Sequence, residues 1–307
     1  MSEASTGAGS SCENWLILAA MSRQRIIIRA MYFGAHISIA KNILEAPKRA
    51  KNLGCEVFQI FTRSPQGGPT PEISEEIGKK FRAECEKYGL ADYVVHTPYF
   101  INLGSKSIRI FYGSVSAIRQ ELERASVLGA KYVMTHLGSG KDLGRAEGII
   151  QTIKGLKKIL EDYDGKTELL IENSAGAGEI IGDKFEEIAE ILNAVDHKKL
   201  SGVCFDTCHA FTSGYDLRAP ETVSQTFEEF DKTIGLDRLK WLHLNDSKNK
   251  ISDHEDRHEH IGKGFIGLEG FRMIVNFPKF KNLGGVIETS PDGVADDLKI
   301  LKKFRQK

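Results

Sequence analysis

From Met31 onward the chain repeats one pattern: a short apolar run, a turn, then a stretch with apolar residues three and four positions apart. The short runs predict strands over 32–36, 57–61, 93–96, 132–136, 168–172, 202–206, 241–244 and 286–288. The amphipathic stretches between them predict helices over 40–52, 74–88, 107–128, 145–163, 184–195, 220–234, 268–275 and 294–304. Gly54, Gly89, Gly129 and Gly235 punctuate this pattern where helices should stop. Eight strand–helix units without a Pro/Gly/Ser-rich linker predict an α/β fold, a single (β/α)8 TIM barrel over 31–307. An open doubly wound sheet uses the same alternation. However, no GxGxxG follows the first strand, and no GxxxxGK[ST] occurs anywhere.

Residues 1–30 stand apart. They open with small polar residues and hold one short apolar run at 15–21 with no basic segment before it, so they make no convincing secretion signal. We read them as an N-terminal extension, disordered or artificially appended. No run approaches the roughly 18 apolar residues of a membrane span, and an intracellular protein is expected.

Composition changes the picture little. The 307 residues are 41% hydrophobic and 27% charged, as in ordinary globular enzymes, and core size is not limiting. The 42 basic and 42 acidic residues cancel, which argues mildly against a nucleic-acid partner unless bound cations shift the local balance. Cys12, Cys55, Cys85, Cys204 and Cys208 are odd in number and scattered, which suggests reduced, structural thiols.

The candidate chemistry sits where a barrel would gather it, at the C-terminal ends of the strands. Those ends carry His36, His96, His136, Glu172, Asp206 with His209, His243 and Glu288. Asp256 and His258 add to them from the polar segment 245–263. A lone histidine at a strand end is usually structural; it is the repetition that points to metal, because charges closing apolar runs are costly to bury unless paired or coordinated. Imidazoles with carboxylates and no cysteine suit zinc or manganese better than calcium or magnesium. So many ligand types exceed the needs of one ion. His36 fits a ligand or a supporting group equally, and spacing does not choose among His254, His258 and His260. His197, at a helix end, reads as structural.

Taken in order, these segments resemble the endonuclease IV family of apurinic/apyrimidinic endonucleases. The resemblance runs through Phe33-Gly-Ala-His-Ile-Ser38, Val95-His-Thr-Pro-Tyr99, Thr135-His-Leu-Gly-Ser139, Ile171-Glu-Asn-Ser-Ala-Gly176 and Cys204-Phe-Asp-Thr-Cys-His-Ala210. It continues through His243-Leu-Asn-Asp-Ser247, Asp256-Arg-His258, Ile261-Gly-Lys-Gly264 and Ile287-Glu-Thr289. It implies a barrel with a cluster of three zinc ions, manganese being possible at one or more sites. His96, His136 and Glu172 would hold the first. Glu172, Asp206, His243 and Glu288 would hold the second, and His209, Asp256 and His258 the third. Glu172 and Glu288 would be catalytic. The implied reaction is hydrolysis of the phosphodiester 5′ to an abasic site in duplex DNA, with trimming of blocked 3′ ends. A monomer is the default expectation, since DNA must reach the open face of the barrel.

Tyr99 would wedge into the DNA. After Phe61-Thr-Arg the family usually presents Asn-Gln-Arg, whereas this chain has Ser64-Pro-Gln-Gly-Gly68, so either Gln66 is the inserted side chain or the loop works differently. Arg63, Lys106, Arg109, Lys141, Arg145, Lys248 and Lys263 are the cations expected near phosphates on that face. The alternatives are a sugar isomerase of the xylose-isomerase type, and a damage-binding protein without activity.

Overall fold

A computed structural model describes residues 30–68 and 70–305. The expected extension, 1–30, lies outside the described residues except for its last position. The strands are β1 (Tyr32–His36), β2 (Val57–Ile60), β3 (Asp92–His96), β4 (Tyr132–Thr135), β5 (Glu168–Glu172), β6 (Leu200–Asp206) and β7 (Leu239–His243). Two short strands, β8 (Asp246–Ser247) and β9 (His258–Glu259), pair antiparallel outside the main sheet. The last, β10 (Gly284–Ile287), pairs in parallel with β7 on one side and β1 on the other. Because β1 also pairs with β2, the sheet closes into an eight-stranded barrel and leaves no edge for the doubly wound alternative.

The surrounding helices are α1 (Ala46–Leu53), α2 (Glu75–Lys87), α3 (Ile108–Leu128), α4 (Arg145–Leu160), α5 (Phe185–Val195), α6 (Thr207–Ser213), α7 (Pro220–Thr233), α8 (Gly267–Val275) and α9 (Val294–Phe304). Local chemistry sets their ends. Ser74 and Ser107 accept from the backbone N–H three residues on and start α2 and α3. The left-handed Gly54 and Gly129 end α1 and α3. Along α3, Phe111, Ile118, Leu122 and Ala125 form one buried stripe against the barrel. The expected helix over 145–163 stops earlier, at Leu160, because Tyr163 turns inward and its hydroxyl donates to Thr167 O.

The barrel interior positions the site. Val57, Val94, Tyr132, Met134, Leu170, Cys204, Trp241 and Val286 form one buried cluster inside the ring. Side chains alternate across a strand, so the residue two positions further on faces the same way. Those residues are Gln59, His96, His136, Glu172, Asp206, His243 and Glu288. The apolar layer is thus a floor, and seven of the eight strands set one polar group just above it. Burying each floor side chain contributes roughly 1.5–3 kcal/mol. The ring is tight at β1, where a Cβ on Gly34 would meet Val57 O at 1.7 Å.

Candidate metal centre

Above the floor the expected ligand residues draw together. His96, His136 and Glu172 form one group, and Glu172, Asp206, His243 and Glu288 form another. Within each group the possible ligand atoms lie within 4.8 Å of one another. The third set is arranged less as expected. His209 and His258 share a group with Asp206, while Asp256 groups with His258 and Cys208. Asp256 Oδ1 nevertheless lies 3.2 Å from both His209 Nε2 and His258 Nε2. His36 stands outside these groups: its Nδ1 accepts from Gln59 Nε2 at 3.0 Å, and burial pulls its pKa down to about 4. Neither His254, whose Nδ1 faces Ala175 O, nor His260, which bonds Asp297 and Ser290 Oγ through its two nitrogens, joins these groups. His197 Nδ1 accepts from Lys199 N, in keeping with a structural role.

Imidazole orientation tests the fit to a cation. His96 Nδ1 lies 2.6 Å from Thr97 O, and His209 Nδ1 lies 3.0 Å from Asn173 O. Gln59 donates its Nε2 to Glu288 Oε1 at 2.6 Å, which turns its carbonyl toward His243 Nε2 at 2.8 Å. A carbonyl oxygen only accepts, so in each ring the pinned nitrogen carries a proton. The other nitrogen faces carboxylate oxygen. His96 Nε2 is 3.0 Å from Glu172, and His243 Nδ1 is 2.9 Å from Glu172 and 3.1 Å from Glu288. The Nε2 atoms of His209 and His258 are buried and have no hydrogen-bond partner. Lone pairs facing carboxylates require positive charge between them, supplied by metal or by protons.

The protonation tendencies express the same requirement. Burial pushes the Glu172 carboxyl up, but His136, His243 and His209 hold it well below the usual carboxylate range. Glu288, also pushed up by burial, is held down at about 2, chiefly by His243. Burial lowers His96, yet Glu172 and Glu288 raise it above its ordinary value. Donor set, orientation and charge all fit divalent ions.

Supporting residues escaped the sequence reading. Asn173 accepts from Asp206 N at 2.7 Å, and Asn245 Nδ2 donates to Asp206 Oδ2 at 2.7 Å and to Glu288 Oε2 at 3.2 Å. Buried Asp246 accepts backbone N–H groups of Ser247, Gly262, Gly264, Ile266 and Gly267, which folds the loop beyond β9. Gln59 was detectable as a polar residue inside an apolar run; Asn173 directly follows Glu172, and Asn245 lies two positions beyond His243.

Tyr99, 68% exposed, and Phe100, 44% exposed, project at the rim with the Phe61 ring behind Tyr99 at 5.3 Å. Gln66 is exposed beside them. Two cavities flank Tyr99. One, of about 450 Å³, reaches His136, His209 and Asp256, and the other, of about 640 Å³, reaches Glu288 and Phe61. Two of the cations expected near phosphates have partners within the chain. Arg63 is buried and bonded to Glu121, Thr70 and Gln120, and Arg145 is paired with Asp183 and Glu187. Lys106, Arg109, Lys141, Lys248 and Lys263 are exposed. Among the described residues, no helix is long and apolar enough to cross a membrane.

The family description of a xylose isomerase-like TIM barrel matches residues 47–304. A probable endonuclease 4 from Carboxydothermus hydrogenoformans is 40% identical over 276 residues, covering 90% of this chain and 97% of that protein. One from Halothermothrix orenii is 37% identical over 90% of this chain and 100% of that protein. The crystal structure of endonuclease IV from Thermus thermophilus superposes with a TM-score of 0.80 at 33% identity, covering 89% of this chain and 98% of that one. A D-tagatose 3-epimerase-like protein, 22% identical with a TM-score of 0.69, shares the fold.

Proposed function

The chain belongs to the endonuclease IV family, and from that premise we propose that it hydrolyses duplex DNA on the 5′ side of abasic sites and trims blocked 3′ ends. One observation carries the reading. All nine ligand-type residues implied by the family resemblance fall in mutually close groups at the barrel mouth, their imidazoles turned toward shared carboxylates.

We assign a first zinc to His96, His136 and Glu172, a second to Glu172, Asp206, His243 and Glu288, and a third to His209, Asp256 and His258. Manganese is an alternative occupant. Bound divalent ions relieve charge on the phosphodiester and make water acidic enough to react at neutral pH. The rest falls to this chain's own residues. Glu172 is enclosed, its oxygens facing several imidazoles, which suits a fixed bridging group. Glu288 lines the cavity beside Tyr99 and is held by Gln59 and Asn245. It is therefore the carboxylate placed to hold and pass a proton at the reacting phosphate.

Tyr99, Phe100 and Gln66 would stand in the gap left by the missing base, and an unstacked abasic nucleotide costs less to extrude than an intact one. The exposed lysines and Arg109 would meet the phosphates. Acting as a monomer leaves the barrel mouth open to the duplex. The test is a duplex carrying one abasic-site analogue. The reading expects a single 5′ nick, while turnover of a free sugar without any nick would favour an isomerase.

A further inference from the structure

The segment that carries Gln66 is fastened at both ends to one helix. Glu121 of α3 is fully buried, and its carboxylate accepts from Thr62 Oγ1 at 2.6 Å and from Arg63 Nε. The Arg63 guanidinium reaches onward, with Nη1 donating to Thr70 Oγ1 at 2.9 Å and Nη2 to Gln120 Oε1 at 3.1 Å. Arg124, one turn along α3, donates to Thr62 Oγ1 at 2.6 Å, to Thr62 O at 2.7 Å and to Pro71 O. Thr62 and Arg63 lead into the segment; Thr70 and Pro71 lead out of it.

The fastening also reaches the rim aromatics. Pro65 O accepts from Tyr99 N at 3.0 Å. Gly67, in the left-handed region at φ 101°, lies beside Phe100, where a Cβ would be in ordinary contact with the ring at 3.9 Å. Moving residues 64–68 would therefore carry the backbone under Tyr99 and Phe100 with them. Arg63 is 7% exposed and already matched by a carboxylate, so it is badly placed to meet a polyanion.

We propose that Glu121, acting through Arg63, is a positioning residue for recognition of the abasic duplex: it fixes residues 64–68 and with them the Tyr99 rim, and Arg63 itself contacts no phosphate. This rests on the reading of the chain as an abasic-site nuclease. Removing one member of the buried charge pair leaves the other unsatisfied, and removing both cuts the hydrogen bonds from Thr62 to Glu121 and from Arg63 to Gln120; either way the segment loses these ties to α3. A segment ordered only on binding weakens the encounter with DNA and leaves the metal chemistry alone.

The experiment compares wild type, Glu121→Gln and the double variant Arg63→Leu/Glu121→Leu. The double variant removes the charges together and protects the fold should the single one fail. KM and kcat are measured on an abasic duplex, with metal content and Tm on the same samples and duplex affinity over a salt series. The expected result is a KM raised about tenfold or more, with kcat within about twofold and metal content unchanged. The slope of log affinity against log salt should match wild type in the double variant. A slope shallower by about 0.9 would make Arg63 a phosphate contact and overturn the proposal. So would an unchanged KM in a folded double variant. A wild type that neither binds nor nicks the abasic duplex would instead refute the nuclease reading, and this inference with it.

Discussion

An imidazole has two nitrogens, and what one of them bonds decides what the other can do. At His243 the Gln59 carbonyl takes Nε2, so Nδ1 is left facing Glu172 and Glu288. Gln59→Met keeps the length but leaves that N–H without an acceptor. Metal affinity measured by chelator competition should fall about 10–100-fold; unchanged affinity would show that ring orientation does not depend on Gln59. Glu288→Gln keeps the shape and removes the charge, and turnover should fall about 10²–10⁴-fold. Near-normal cleavage at full metal content would remove Glu288 from the chemistry. Much of this was legible in the sequence, because a strand repeats every two residues and the residue two positions after the last interior apolar one must face the site. The choice among histidines was not. Positions 254, 258 and 260 share one parity, and what diverts His260 is Asp297, 37 residues further along the chain.

Asp297 shows how an element far from the chemistry positions it. From α9, its carboxylate accepts from His260 Nδ1 at 2.7 Å, Ile261 N at 2.9 Å and Thr289 Oγ1 at 3.0 Å. These partners lie just beyond His258 and Glu288, so one buried group joins two ligand-bearing segments. Asp297→Ala orphans three donors, at a cost on the order of 1–3 kcal/mol for each one left buried. A lowered Tm together with weaker metal binding is expected, and a lowered Tm alone would confine Asp297 to stability. Long helices with a clear apolar stripe, such as α3, were readable from spacing. The short helix α6 was not, since seven residues carry little periodicity. It forms because β6 ends in Asp206, whose carboxylate accepts from His209 N at 2.7 Å and starts the turn that presents His209.

For the whole molecule, barrel closure is what makes the site. Strands distant in sequence deliver single residues to one ring, where carboxylates that would repel one another share imidazoles and would share bound cations. The balanced 42 acidic and 42 basic residues therefore tell little about the mouth, where ions matched to four carboxylates would set the local sign. Chelation should also destabilise the fold, since ions that bind only the folded state stabilise it. A Tm that drops on chelation and recovers on adding zinc is the expected result, whereas an unmoved Tm would indicate that the ligand groups hold no metal. The central claim is tested most directly by cleavage of a duplex with one abasic-site analogue, before and after chelation, with metal content determined on the same sample. The account predicts a single nick on the 5′ side, abolished by chelation and restored by zinc, from protein holding about three zinc ions per chain. Intact DNA from fully metal-loaded protein would contradict it.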